Sequence, residues 1–208
     1  MARKPHSNKR NLSRQREENA KILIVTEDSK SAYNYFQMLK AEIRLPMLGV
    51  EVEPSKKSAP DQVVLFTEKR AKEIGAELSF CVIDRDTHEN FDKAISDARK
   101  SKTLRIIASY PCFEYWILLH HEKDCYKTMS QKECQNENNL LFPNYRKSMS
   151  RNEWKDFYKK HLEISLSTAI EKSLIAEKRC NENGTKNPKT DIYKLFKDKN
   201  YPFYNKSI

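Results

Sequence analysis

Three near-continuous apolar runs, each the length of one strand and each followed by a helical pattern, constrain this chain most. They lie at residues 22–25 (ILIV), 79–84 (SFCVID) and 103–109 (TLRIIAS). A strand with one wet face alternates apolar and polar side chains, whereas an unbroken apolar strand is covered on both faces. After the first run, SAYNYFQMLKAEI at 31–43 sets Tyr33, Tyr35 or Phe36, Leu39 and Ile43 at helical spacing. A short strand at 50–52, a helix around 62–74 and a polar helix at 91–100 continue the alternation. Buried strands separated by helices predict an α/β fold, a parallel sheet flanked by helices.

Beyond Pro111 the pattern changes. FEYWILLHH at 113–121 is apolar nearly all round, and the remainder reads as helical, basic and rich in Asn and Lys. Residues 136–152, which include Pro143, read as a loop or insertion. NPKTDIYKLF at 187–196 reads as structural, with Thr190 capping a helix that carries Ile192, Leu195 and Phe196 on one face. The predicted organisation is a basic arm at 1–21, an α/β core at 22–121 and a helical C-terminal region at 122–208 packed on the core.

With 208 residues, folding removes roughly 70% of the unfolded chain's surface from water, so no disulfide or structural metal is required. Five cysteines with no CxxC pair argue for reduced thiols and against a zinc site. No stretch approaches the ~20 apolar residues of a membrane span, and charges occupy the position of a signal peptide's apolar segment. The expectation is a cytoplasmic protein.

The formal net charge is +10, and residues 1–16 carry Arg3, Lys4, Lys9, Arg10, Arg14 and Arg16 with no acid. Such a segment has too few apolar residues to fold alone, and it suits the phosphates of a nucleic acid, which it would engage by counterion release.

The candidate chemistry lies at strand ends. CVIDRDTHEN at 81–90 places Asp84 at the end of one strand and Asp86 in the loop after it. In a parallel sheet the ligand site lies beyond the carboxyl ends of the strands, and alternation aims both aspartates to one side. Glu27 closes the first strand and meets them if the two strands are neighbours. Three carboxylates repel one another unless they share protons or hold a divalent cation. Mg²⁺ suits such hard oxygen donors, with Mn²⁺ as the alternative. The competing reading is that Asp84 caps a turn and Asp86 pairs with Arg85 or a surface lysine.

Glu114 in PCFEYW is a candidate fourth acid, because the preceding strand brings it to the same edge; otherwise it is a first-turn glutamate favoured by the helix dipole. Pro111 is placed in the first turn of that helix. His88 could contact phosphate or assist proton transfer, and Lys30 could reach a phosphate held near Glu27. His120 and His121 face different directions and read as packing and surface residues.

Four blocks, IVTEDSKSAYNYF, CVIDRDTHEN, IASYPCFEYWILLHHE and NPKTDIYKLF, in that order, resemble the RloB family, whose core is a TOPRIM domain. The resemblance runs from Ile22 to Phe196, and the basic arm before the first strand is also similar to the family. It implies that Glu27 is the TOPRIM glutamate and that Asp84 and Asp86 bind Mg²⁺. It further implies bacterial defence against phage, beside an ATPase partner of the RloA type related to the OLD nucleases. The family usually has Glu-Gly where this chain has Glu27 and Asp28.

The leading expectation is a Mg²⁺-dependent nuclease that hydrolyses DNA or RNA through Glu27, Asp84, Asp86 and Glu114. DRDTH superficially resembles the DxDxT motif of haloacid dehalogenase phosphatases, but Thr87 directly follows the second aspartate. Three glycines in the whole chain leave no Gly-rich phosphate loop for a Rossmann domain. The remaining alternative is a non-catalytic module that binds nucleic acid or a partner.

Overall fold

The computed structural model of the protein describes residues 21–42, 49–85, 91–199, 201 and 203–204. Strands and helices alternate through β1 (Lys21–Thr26), α1 (Ser31–Glu42), β2 (Gly49–Pro54), α2 (Pro60–Ile74), β3 (Leu78–Asp84), α3 (Phe91–Ala98) and β4 (Leu104–Tyr110). Then come α4 (Glu114–Leu119), α5 (Gln131–Leu141), α6 (Arg151–Phe157) with a π-helical continuation (Tyr158–Glu163), and α7 (Leu166–Glu182). A two-residue strand β5 (Lys189–Thr190) and the short α8 (Lys194–Lys197) follow. The sheet order is β2-β1-β3-β4-β5; the first four strands are parallel and β5 is antiparallel to β4.

The unbroken apolar runs are explained by two cores, one on each face of the sheet. Ile22, Ile24, Phe80, Val82 and Ile107 point to one side, where Tyr35, Phe36, Trp116, Trp154 and Phe196 cover them. Their neighbours Leu23, Val25, Cys81, Ile83 and Ala108 point to the other, against Val63, Val64, Phe91 and Ala94 of α2 and α3. The helices that bury these faces are delimited by local chemistry. α2 opens on Pro60, whose missing N–H costs nothing in the first turn. It closes on Gly75, whose φ of 67° is available to glycine without strain. Ser130 with Glu133 and Ser150 with Glu153 form reciprocal capping boxes on α5 and α6.

The sequence-based boundaries need three corrections. Helix α5 runs through to Leu141, so the loop predicted at 136–152 is shortened at its start. Asn138 is buried there with its Nδ2 donating to the carbonyls of Glu114 (2.8 Å) and Cys134 (3.0 Å), while its Oδ1 is buried without a partner among the described residues. Pro111 follows a cis peptide and precedes the helix, whose first residue is Glu114. Thr190 is a strand residue: its hydroxyl meets Ser109 Oγ at 2.9 Å and accepts the Ile192 N–H at 3.3 Å. The all-parallel sheet expected of the α/β core therefore gains an antiparallel edge from the C-terminal segment.

All five cysteines are free and buried. Among the described residues no helix is long and apolar enough to cross a membrane. Leu195 is fully buried in the core that contains Trp116 and Phe196. Truncating a core leucine removes transfer free energy and leaves a cavity, so Leu195→Ala should cost at least about 2 kcal/mol. A fall in Tm of roughly 5 °C is expected; an unchanged melting curve would show that this segment does not stabilise the fold.

Candidate active site

Three acids converge because three adjacent strands end together. Glu27 follows β1, Asp84 ends β3 and Glu114 begins the helix after β4, and these strands are neighbours in the sheet. The register Thr26↔Val82 and Asp84↔Ser109 brings the ends level. The Glu27 N–H donates to Val82 O (3.1 Å), and Glu27 Oε2 accepts the Asp84 N–H (3.1 Å), so one main chain holds the other's side chain.

The turn that follows β1 is fixed by Asp28 and Thr26. Asp28 Oδ1 accepts the Lys30 N–H (2.8 Å), and Thr26 Oγ1 donates to the Asp28 carbonyl (2.7 Å). This Asx turn starts α1 so that Ser31 faces the acids. Lys30 is exposed on the same turn.

Glu114 is 1% exposed and does more than face a helix dipole. Its Oε1 accepts from Ser31 Oγ (2.8 Å) and Tyr145 OH (3.1 Å) and pairs with Lys147 Nζ (2.9 Å). Ser31 Oγ also contacts Tyr145 OH at 2.8 Å, so two hydroxyl protons serve three contacts. Glu114 Oε2 is buried without a hydrogen-bond partner among the described residues, and the Cys112 thiol acts on the carboxyl group as a weak donor.

The electrostatics separate the acids. Burial pushes the Asp84 carboxyl well above the ordinary range, and the nearby Glu114 and Glu27 push it further; the Phe113 N–H and Lys147 oppose this. Burial also acts upward on Glu114, but the Lys147 charge and the donated hydrogen bonds outweigh it and leave its carboxyl below the usual value. Lys147 loses hydration, yet Glu114 holds its ammonium above the usual range, so this pair stays ionised. Tyr145 is raised by burial and by Glu114, which keeps its hydroxyl protonated and donating.

Glu27, Asp28, Ser31, Asp84, Glu114 and Lys147 line a small cavity of about 60 Å³, room for a few water-sized ligands. Among the described residues no group of three or more His, Cys, Asp or Glu side chains is disposed to hold a metal ion. Mg²⁺ commonly takes only one or two carboxylates and retains several waters. Glu27 and Asp84 meet that demand as hard oxygen donors, and Asp84's proton affinity is raised first by burial and then by the charges of Glu114 and Glu27. Glu114, which also lines this cavity, carries a buried Oε2 with no hydrogen-bond partner among the described residues.

Of the residues singled out in the sequence, Glu27, Asp84 and Glu114 come together here. Asp86, His88 and the arm residues Arg3, Lys4, Lys9, Arg10, Arg14 and Arg16 lie outside the described residues. His120 is buried and pushed down to about 3 by burial, hence neutral, with Nδ1 at 3.1 Å from Ser165 Oγ. His121 Nδ1 accepts the Lys123 N–H at 3.0 Å. Ser31, Tyr145 and Lys147 were not singled out. Tyr145 and Lys147 lie in the aperiodic stretch read as an insertion, 31 and 33 positions from Glu114.

No curated protein and no solved structure gives a significant match to this chain. The profile of one family, described as RloB-like protein, matches residues 22–198. Apart from Lys21 at the start of β1, that span holds every described strand and helix and all three converging acids, and the chain therefore belongs to the RloB-like family.

Proposed function

We propose that this protein is a divalent-metal-dependent phosphodiesterase that cleaves DNA or RNA in defence against phage, working with an ATPase partner of the RloA type. The observation that carries this reading is the convergence of Glu27, Asp84 and Glu114 at the carboxyl ends of three adjacent strands. Glu27 and Asp84 would hold Mg²⁺, with Asp86 completing the set implied by family resemblance. When bound, the ion would supply Lewis-acid stabilisation of the charge that develops on the phosphoryl oxygens.

The chain's own groups do the positioning. The Asp84 N–H fixes the orientation of Glu27 Oε2. Lys147, paired with Glu114 at 2.9 Å, gives the cavity a permanent cation for a phosphate oxygen. Ser31 and Tyr145 hold Glu114 Oε1 in place. Water is limited by the small cavity, which strengthens each of these interactions.

The test is incubation of labelled DNA and RNA with the full chain, alone and with its neighbouring ATPase, in Mg²⁺, Mn²⁺ or chelator. Cleavage is expected only with metal, and Glu27→Gln should slow it by about 100-fold or more. Cleavage that persists in chelator, or that ignores Glu27→Gln, would remove the metal-dependent reading. Binding without cleavage under every condition would favour a non-catalytic module.

A further inference from the structure

A larger cavity, of about 640 Å³, lies apart from the acids, between α3 and the β4–β5 edge of the sheet. β5 pairs with β4 only at Ser109 and Tyr110, so the cavity follows the remainder of β4 from Leu104 to Tyr110. Its walls carry Arg99, Arg105, Lys186, Lys189 and Lys194 against only Asp92 and Asp191. Both acids are already engaged: Asp191 Oδ1 lies 2.5 Å from Lys194 Nζ, and Asp92 Oδ2 lies 3.5 Å from Arg85 Nη2. Among the described residues, Arg99, Arg105, Lys186 and Lys189 have no ion-pair partner.

Two of these cations are held by contacts that leave their charge uncompensated. Arg105 Nη1 donates to the Leu104 carbonyl at 2.9 Å, and Lys189 Nζ stands 5.4 Å from the Tyr110 ring centroid. Four unpaired like charges around a concavity focus positive potential, and their chemical complement is an anion of several charges. The shape selects among such anions. Cations lie at both ends of the seven-residue strand β4, a span of roughly 20 Å at ~3.3 Å per residue. That is longer than one phosphate group. The Tyr110 end lies at the same carboxyl edge of the sheet as Asp84, whose register partner is Ser109, on the α3 face, whereas Val82 and Phe113 of the other face line the cavity of the acids.

We infer that this groove carries the sugar–phosphate backbone of a polynucleotide past β4 to the carboxyl edge, with Arg99, Arg105, Lys186 and Lys189 each meeting a phosphate. The inference rests on the phosphodiesterase reading for its destination, and on the groove's own charge and shape for its ligand. Backbone contacts of this kind position a strand without selecting its sequence.

The test is the triple variant Arg99→Gln, Lys186→Gln, Lys189→Gln of the full chain, with melting measured to confirm the fold. Arg99 and Lys186 are exposed and Lys189 is partly so, which makes these substitutions tolerable. Binding of a fluorescent oligothymidylate and of a duplex is followed by anisotropy across a salt series. Loss of three phosphate contacts should lower the slope of log affinity against log salt by about 2, and affinity at ~0.1 M salt by about 100-fold. An unchanged slope and affinity would overturn the groove. So would thymidine monophosphate binding as tightly as the oligonucleotide, which would mark a small nucleotide pocket, or displacement by polyglutamate at equal charge concentration, which would mark an acidic protein partner. Wild-type hydrolysis of a small chromogenic phosphodiester is measured alongside. A wild type that binds the oligonucleotide through the groove yet hydrolyses no small diester would contradict the nuclease reading and leave the groove standing.

Discussion

Asp84→Asn is expected to slow nucleic-acid cleavage by about 10³-fold while leaving the metal-free protein as stable as the wild type or more so. The two effects have one cause. Asp84 sits where burial and the charges of Glu114 and Glu27 penalise its ionised form, so its carboxyl is raised in the folded protein. A group whose folded value lies above its unfolded value contributes stability below the unfolded value, near ~3.9 for aspartate. That contribution is lost as pH rises through the folded value. At pH values above the unfolded aspartate value Asp84 therefore costs the metal-free fold stability, and asparagine removes that cost together with the carboxylate that a cation would need. An aspartate that merely capped a turn would behave in the opposite way. Its loss would cost about 1 kcal/mol and spare the chemistry.

Glu114→Ala should instead unfold the protein more readily, by about 3 kcal/mol, because it leaves Lys147 without its counter-charge and Ser31 and Tyr145 without their shared acceptor. At this chain length the fall in Tm should be roughly 6–12 °C. Glu114→Gln keeps the shape and an acceptor oxygen and should recover part of that loss. The pH dependence has the reverse sign to that of Asp84. Burial raises the Glu114 carboxyl, but Lys147 and the hydrogen bonds outweigh it, and the net value is lowered. Its contribution is present above the unfolded value, near ~4.3, and is lost as pH falls through the folded one. Acid melting curves of the two variants should accordingly diverge from the wild type in opposite senses. Coincident curves would show that Lys147 does not separate the two acids.

The parallel sheet was legible because β1, β3 and the end of β4 are buried on both faces, which forces an apolar run, while edge strand β2 alternates buried Val50 and Val52 with half-buried Glu51 and Glu53. Glu27 and Asp84 were legible for a related reason: an acid at the end of such a run has its main chain fixed by the sheet, so its location follows from the strand's end. Strand β5 carried no such signal. It is two residues long, and its place is set by Ser109 and Tyr110 opposite it and by the Ser109–Thr190 hydroxyl contact. Tyr145 and Lys147 were hidden because they hang on a loop between α5 and α6, where no period links a residue to its partner. Only the packing of that loop over α4 brings them to Glu114. Asn138 misled for the opposite reason, since its polarity reads as exposure while its Nδ2 donates to two buried carbonyls.

The basic groove was likewise invisible in the chain's net charge of +10. Its cations come from Arg99 just after α3, from β4 and from the 186–194 segment, which the antiparallel β5 pairing brings alongside β4.

The claim that Glu27 and Asp84 form a divalent-cation site is tested most directly by isothermal titration of Mg²⁺ into the metal-free full chain and into Asp84→Asn. The account predicts saturable binding by the wild type, with release of a proton wherever Asp84 still carries its raised proton, and no binding by Asp84→Asn. Equal binding by both proteins, or none by the wild type, would contradict it.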